Sequence, residues 1–304
     1  MTETLRTGFV AIVGRPNVGK STFVNALVGQ KVAIVTSRPQ TTRNRILGIV
    51  NRPDAQVVLI DTPGIHRPDS ALGRQMLNEV AQAMEGIDVL ALMIDASHGL
   101  TAADRLALER SRRFNGPKIL LMNKIDRMSK PALLPLLETC AREQAFAEMI
   151  PISALTGDGT KQALDQFIAY LPEGEPYFPK DQVTDQPERF LAAEIIREKA
   201  MQATHQEVPQ AVAVQLDTFE ERPALIHMRA TIQVEREGQK GILIGRGGVM
   251  LKEIGTAARK ELELILGTKV FLELHVKVQK DWRDDSRRVQ NLDWRRQMDP
   301  ISES

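Results

Sequence analysis

The chain has 304 residues, with 40 Lys and Arg against 39 Asp and Glu for a net charge near +1, and a single cysteine, Cys140. That length suits two modest domains, and the charge balance leaves any nucleic-acid partner to a local patch. One cysteine excludes an intrachain disulfide or a cysteine-built zinc site and fits a reducing cytosol, with core packing as its role. The first eight residues lack a basic stretch followed by an apolar one, and no run approaches 18 apolar residues. The expectation is a chain that is neither secreted nor membrane-spanning.

In chain order, the apolar run 9–13 predicts a strand that leads into Gly14-Arg-Pro-Asn-Val-Gly-Lys-Ser21 and a helix over 20–28. Strand, glycine loop and helix in that order make a phosphate cradle. Gly14 and Gly19 let the backbone turn its N–H groups toward anionic oxygens at a helix N-terminus. Asn17, Val18 and Thr22 complete the nucleotide-contacting positions. Lys20 supplies a positive charge to the β- and γ-phosphates, and the Ser21 hydroxyl stands where a Mg²⁺ ligand is required. The polar segment 37–44, SRPQTTRN, is too long for a tight turn. It offers Thr42 as a second hydroxyl for Mg²⁺, with Thr41 its rival, and is expected to order around an intact triphosphate.

Strands over 46–51 and 57–60 follow, and the second ends on Asp61-Thr-Pro-Gly64. Asp61 can hold Mg²⁺ through water, and the Gly64 N–H can meet a γ-phosphate and register its loss. A helix over 72–84, a strand over 89–94, a helix over 102–113 and a strand over 118–122 bring the chain to Asn123-Lys-Ile-Asp126. The Asp126 carboxylate can accept from both the ring N–H and the exocyclic amine of guanine, a donor pair that adenine lacks. Asn123 is expected to tie loops together and reach the base edge, and the stem of Lys124 to lie over the base. After a helix over 132–143 and a strand over 148–152, Ser153-Ala-Leu155 presents the Ala154 N–H to the guanine carbonyl oxygen; a helix over 161–169 closes the domain. The alternation predicts an α/β, mostly parallel sheet covered by helices on both faces, with ligands beyond the carboxyl ends of the strands.

Prolines and polar residues over 172–187 mark a linker between a domain at 7–171 and a second at 188–285, with a tail over 286–304. The second domain reads as a helix over 188–203, strands over 210–218 and 224–234, a helical region and an alternating strand over 269–278, an α+β unit. Within its helical region stands Gly245-Arg-Gly-Gly248. Glycines there permit close passage of a sugar-phosphate backbone, Arg246 and Lys252 add charge, and Ile242, Ile244 and Leu251 offer an apolar floor for bases. Residues 239–296 carry 13 Lys and Arg against 8 Asp and Glu, so a basic patch sits where the turn needs it.

The first set of motifs, GRPNVGKS, Thr42, DTPG, NKID and SAL, resembles the translation-factor-related GTPases. Where that superfamily often has a water-positioning glutamine after the DTPG-like glycine, this chain has Ile65, which implies slow or differently assisted hydrolysis. His66 beside it is read as an exposed loop residue before a general base. The second half resembles an RNA-binding KH domain. With QTTR at 40–43 and IREK at 196–199, the combination resembles the Era family from about Thr7 through Asp285. The resemblance implies a P-loop GTPase domain followed by a KH domain, GTP and GDP with Mg²⁺ as cofactors, and Lys20, Thr42 and Gly64 as catalytic positions. It also implies maturation of the small ribosomal subunit, with the KH groove holding the 3′ end of its ribosomal RNA. A cytoplasmic monomer with occasional peripheral association at the inner membrane is expected, and Asn17 is the candidate ligand for a K⁺ ion. The rival is a GTPase in membrane or stress signalling whose KH-like unit binds protein. A metabolic kinase sharing the phosphate loop finds no second-substrate motif here. Nothing in 291–304 matches a known pattern, and disorder is the expectation for it.

Overall fold

The computed structural model describes residues 5–295. Its described residues divide into two compact units, 5–35, 42–68 and 76–185 in the first, and 36–41, 69–75 and 186–295 in the second.

Through residue 170, β1 (Arg6–Val13), α1 (Lys20–Val28), β2 (Ile46–Asn51), β3 (Ala55–Asp61), α2 (Ala71–Ala83), β4 (Val89–Asp95), α3 (Ala102–Ser111), β5 (Lys118–Asn123), α4 (Leu133–Glu143), β6 (Glu148–Pro151) and α5 (Thr160–Tyr170) follow in order. The sheet runs β2-β3-β1-β4-β5-β6, parallel throughout except for the antiparallel β2–β3 pair. Strand alternation explains the two covered faces. Val10 and Ile12 point into a cluster with Phe23 of α1 and Phe167 of α5, whereas Ala11 and Val13 point into one with Val80 of α2, Leu108 of α3 and Leu136 of α4. Every residue of β3 and β4 is buried, as apolar runs sandwiched between helices require. Cys140 of α4 lies in the second cluster, and burial pushes its thiol up to about 11. Helix α3 starts sharply because Thr101 and Asp104 form a reciprocal capping box.

The second unit contains α6 (Glu188–Ala203), α7 (Val208–Ala211), β7 (Ala213–Arg222), β8 (Leu225–Val234), α8 (Glu237–Ile244), α9 (Val249–Leu266), β9 (Lys269–Val278) and α10 (Ser286–Asn291). Its sheet runs β7-β8-β9, antiparallel then parallel. Helices α6, α8 and α9 bury Ile195, Leu243, Ala258 and Leu262 against Met228, Ala230 and Ile232 of β8. The strand expected over 210–218 is displaced: Pro209 sits in the first turn of α7, so 210 and 211 are helical, and β7 runs on to Arg222. Of the 291–304 expected to be disordered, the described residues 291–295 include the buried Trp294. Asp285 caps α10, Val289 is buried, and the Trp294 ring lies 5.9 Å from Phe190. The remainder of the tail, 296–304, lies outside the described residues.

Candidate active site and nucleic-acid groove

Five segments meet at the carboxyl end of the first sheet. At the phosphate end, α1 opens with Lys20, whose Nζ donates to the Gly14 carbonyl at 3.3 Å and the Arg15 carbonyl at 3.1 Å. Ser21 Oγ donates to Asp61 Oδ2 at 2.6 Å and lies 2.9 Å from Thr42 Oγ1, which itself stands 3.5 Å from the same carboxylate oxygen. Thr41 faces elsewhere: its hydroxyl donates to the Arg38 carbonyl and bonds Thr36, both at 2.7 Å. Of the two rival threonines, Thr42 is therefore the one beside Ser21.

Burial pushes the Asp61 carboxyl up to about 6 against the opposing pull of Lys20, Ser21 and Thr42. Burial likewise lowers the Lys20 ammonium to about 8, with the Asp61 charge working the other way. Asp61 Oδ1 is buried with no hydrogen-bond partner among the described residues. Two hydroxyls and one carboxylate, one of whose oxygens is orphaned, are hard oxygen donors, the chemistry that suits Mg²⁺.

The loop after β3 lies close to the phosphate loop. The Ile65 N–H donates to the Gly14 carbonyl at 3.0 Å, and a Cβ built on Gly64 would meet Pro16 atoms at 2.6 Å. Only glycine permits that approach. Ile65 itself is 0% exposed, packed with the core of the second face rather than turned to a reacting water. His66 is half-buried, not the exposed residue expected; its Nδ1 donates to the Gly64 carbonyl at 2.8 Å, while Nε2 has no partner among the described residues.

At the base end, long-range pairs join the loops. The Asn123 amide is used inside the protein: Nδ2 donates to the Val18 carbonyl at 2.7 Å, and Oδ1 accepts from the Ala154 N–H at 2.9 Å. Asn123 therefore ties loops together, and the Ala154 N–H donates to its side-chain oxygen. Asp126 is exposed and oriented by Ser153 Oγ, which donates to Oδ1 at 2.6 Å. Lys124 Nζ donates to the Asn17 carbonyl at 2.8 Å and to Asp95 at 2.7 Å, so its stem spans from the end of β5 to the phosphate loop. Asn17 has a left-handed φ of 62° and an exposed side chain. Val18 is buried, Gly19 and Thr22 half-buried, and Leu155 strongly exposed. Asp95 and Arg15 were given no role from sequence; the signal for Asp95 was a polar residue ending an otherwise apolar strand, and for Arg15 its place inside the phosphate-loop motif.

In the second unit, Gly245, Gly247 and Gly248 take φ of 71°, 61° and 82°, which reverses the chain between α8 and α9. Beside this turn a groove of about 370 Å³ is lined by Gly248, Leu251, Lys252, Gly255, Thr256 and Arg259 of the turn and α9, and by Leu272 and Leu274 of β9. The floor is thus Leu251 with two β9 leucines. Ile242 and Ile244 are outside that lining; Ile242 is half exposed, and Leu243 between them takes the core position. Arg246 and Lys252 are exposed, and Arg259 adds a cation that the glycine motif alone does not reveal.

Comparison with known proteins matches this geometry. Residues 9–124 match the family described as 50S ribosome-binding GTPase, and 207–283 match the KH domain. A relative from Syntrophus aciditrophicus named GTPase Era is 49% identical over 289 residues, covering 94% of each chain. A crystal structure of an Aquifex aeolicus Era variant bound to GDP·AlF4⁻ superposes with a TM-score of 0.91 at 43% identity, covering 95% of this chain and 99% of the other. A structure of Era with MgGDPNP and nucleotides 1506–1542 of 16S ribosomal RNA superposes with a TM-score of 0.92 at 44% identity, with the same coverage. A P-loop GTPase unit followed by a KH unit, matched along nearly its whole length, places the chain in the Era GTPase family.

Proposed function

We propose that the protein hydrolyses GTP to GDP and phosphate and serves small-subunit ribosome assembly by binding the 3′-end region of 16S ribosomal RNA in the groove beside its glycine turn. The observation that carries this is the meeting of Ser21, Thr42 and Asp61 beside Lys20, in a chain whose second unit holds a basic groove over an apolar floor. The RNA named with the Era structure supplies the class of strand.

Lys20 holds charge against the β- and γ-phosphates, and its lowered pKa of about 8 records how thoroughly that ammonium is desolvated. Electrostatics count for most in such a water-poor site. Ser21 and Thr42 would hold Mg²⁺ directly and Asp61 through water; the ion supplies charge stabilisation to the transferring phosphoryl group. The Gly64 N–H meets the γ-phosphate. Ile65 gives a reacting water nothing to bond, so backbone groups orient it; Asn17 would be the side chain to hold a K⁺ ion, which would supply positive charge beside the phosphates. Asp126, held by Ser153, reads the two donors of guanine.

In the groove, the glycine turn lets the phosphodiester backbone pass close, with Arg246, Lys252 and Arg259 neutralising phosphates and the leucines meeting bases. The work is cytoplasmic. Contact with the inner membrane is peripheral in this reading, because among the described residues no helix is long and apolar enough to cross a membrane.

The test is RNA binding by a variant carrying Arg246→Asp and Gly247→Asp, measured at two salt concentrations with circular dichroism to confirm folding. Loss of affinity for the 16S 3′-end strand, with GTP hydrolysis retained, is expected. A folded variant that binds as tightly as the parent at both salts would favour a protein partner for this unit instead.

A further inference from the structure

Four cationic or polar groups converge on Asp95, the last residue of β4, whose side chain is 2% exposed. Lys124 Nζ donates to Oδ2 at 2.7 Å, while Ser97 donates to Oδ1 from its N–H at 3.1 Å and its hydroxyl at 2.6 Å. His98 Nδ1 lies 3.3 Å from Oδ2, and Arg15 Nη2 approaches the same oxygen at 3.7 Å. Burial alone pushes this carboxyl up, but hydrogen bonds from Lys124 and Ser97 and the Lys124 charge more than reverse it, leaving it at about 2. It is an anion throughout the working pH range.

Its two full cations come from different nucleotide motifs. Arg15 belongs to the phosphate loop and is held a second time, its Nε donating at 3.1 Å to Asp104, a fully buried carboxylate inside the α3 capping box. Lys124 belongs to the base-reading loop, takes a left-handed φ of 70°, and also bonds the phosphate-loop carbonyl of Asn17. A free lysine side chain samples many rotamers and loses that freedom when it must lie along a base. Here the head is fixed at both Asp95 and Asn17, so the stem is already stretched across the place a base would occupy. Preorganisation of this kind raises affinity by removing an ordering cost before the ligand arrives.

We propose that Asp95 is a positioning residue for nucleotide binding, clasping the base-reading loop to the phosphate loop through Lys124. The proposal rests on the reading that the Lys124 stem packs on guanine, and its test separates the two. GDP dissociation constants are measured by calorimetry for the full-length protein, Asp95→Asn, Lys124→Met and the double variant. Asp95→Asn is expected to weaken GDP about tenfold in the parent and less than twofold when Lys124 is already Met, because a residue acting through Lys124 has nothing left to position.

A merely structural carboxylate would lower thermal stability without that coupling. An equal loss in both backgrounds, or no loss in the parent, overturns the role of Asp95. Lys124→Met binding GDP as tightly as the parent overturns the underlying reading of Lys124, and the clasp with it. Where Asp95→Asn lacks a cooperative unfolding transition, Asp95→Glu replaces it in the same cycle under the same criteria, keeping the charge and moving it by one methylene.

Discussion

Single residues in this site divide between those whose chemistry touches the nucleotide and those whose burial fixes the frame. Ile65 illustrates the second kind. Its position after the DTPG motif draws attention to what it lacks, a group for water, yet its side chain is fully buried beside Val13 and Ile60. Ile65→Ala is therefore expected to cost about 2–4 kcal/mol of stability through the cavity it leaves, while shifting GDP affinity little. Chemical denaturation and calorimetry read the two effects separately, and unchanged stability would contradict the packing role. Asp126 is of the first kind, exposed and braced by Ser153. Asp126→Asn replaces an acceptor by a donor where guanine presents its amine, so GTP should weaken by about 2–5 kcal/mol. Xanthosine triphosphate, with a carbonyl at that edge, should gain. Equal GTP affinity in a titration of the variant would remove Asp126 from base recognition.

At the scale of elements, apolar runs and glycine loops were legible because they obey local rules, whereas partner choice inside loops was not. The strand pattern alone put each motif at the carboxyl end of its strand, and doubly buried β3 and β4 read as continuous apolar runs. Adjacent threonines 41 and 42 look alike in sequence; only the path of the loop turns one to Ser21 and the other to Arg38. The Asn123 amide and the Ala154 N–H are likewise a long-range pair that neither segment announces. Strand β7 was misplaced because Pro209 favours a helical first turn that apolar alternation conceals, and the part that Leu272 and Leu274 take in lining the groove was not legible because β9 is separated in sequence from the glycine turn. The loop after β3 permits a sharper test. With Pro16 2.6 Å from a Cβ at position 64, Gly64→Ala must push that loop away from the phosphate loop. Displacements near 1 Å cost about 10²-fold in rate, so single-turnover GTP hydrolysis should fall by that order while the protein stays folded. A rate within twofold of the parent would show that the close approach is not needed for reaction.

Over the whole molecule, a net charge near +1 gives no long-range attraction to a polyanion. The salt dependence of RNA binding then comes from local cations, and those lining the groove can be counted. Lys252 and Arg259 stand along one face of α9 above Leu272 and Leu274, where a strand crossing the glycine turn would bring successive phosphates. Each phosphate neutralised on a single strand contributes about −0.7 to the slope of log affinity against log salt. Replacing Lys252 and Arg259 together by Ala should make that slope shallower by about 1.4 and weaken binding at every salt concentration. Nucleotide affinity should not follow, since the nucleotide motifs proposed to hold GTP, Lys20 and Asp126 among them, lie in the first unit. Fluorescence anisotropy with a labelled 16S 3′-end strand, taken at four or more salt concentrations, measures both slope and intercept. An unchanged slope with reduced affinity would mean that the two cations act on bases or on the fold of α9, and the backbone path drawn here along the groove would have to be abandoned.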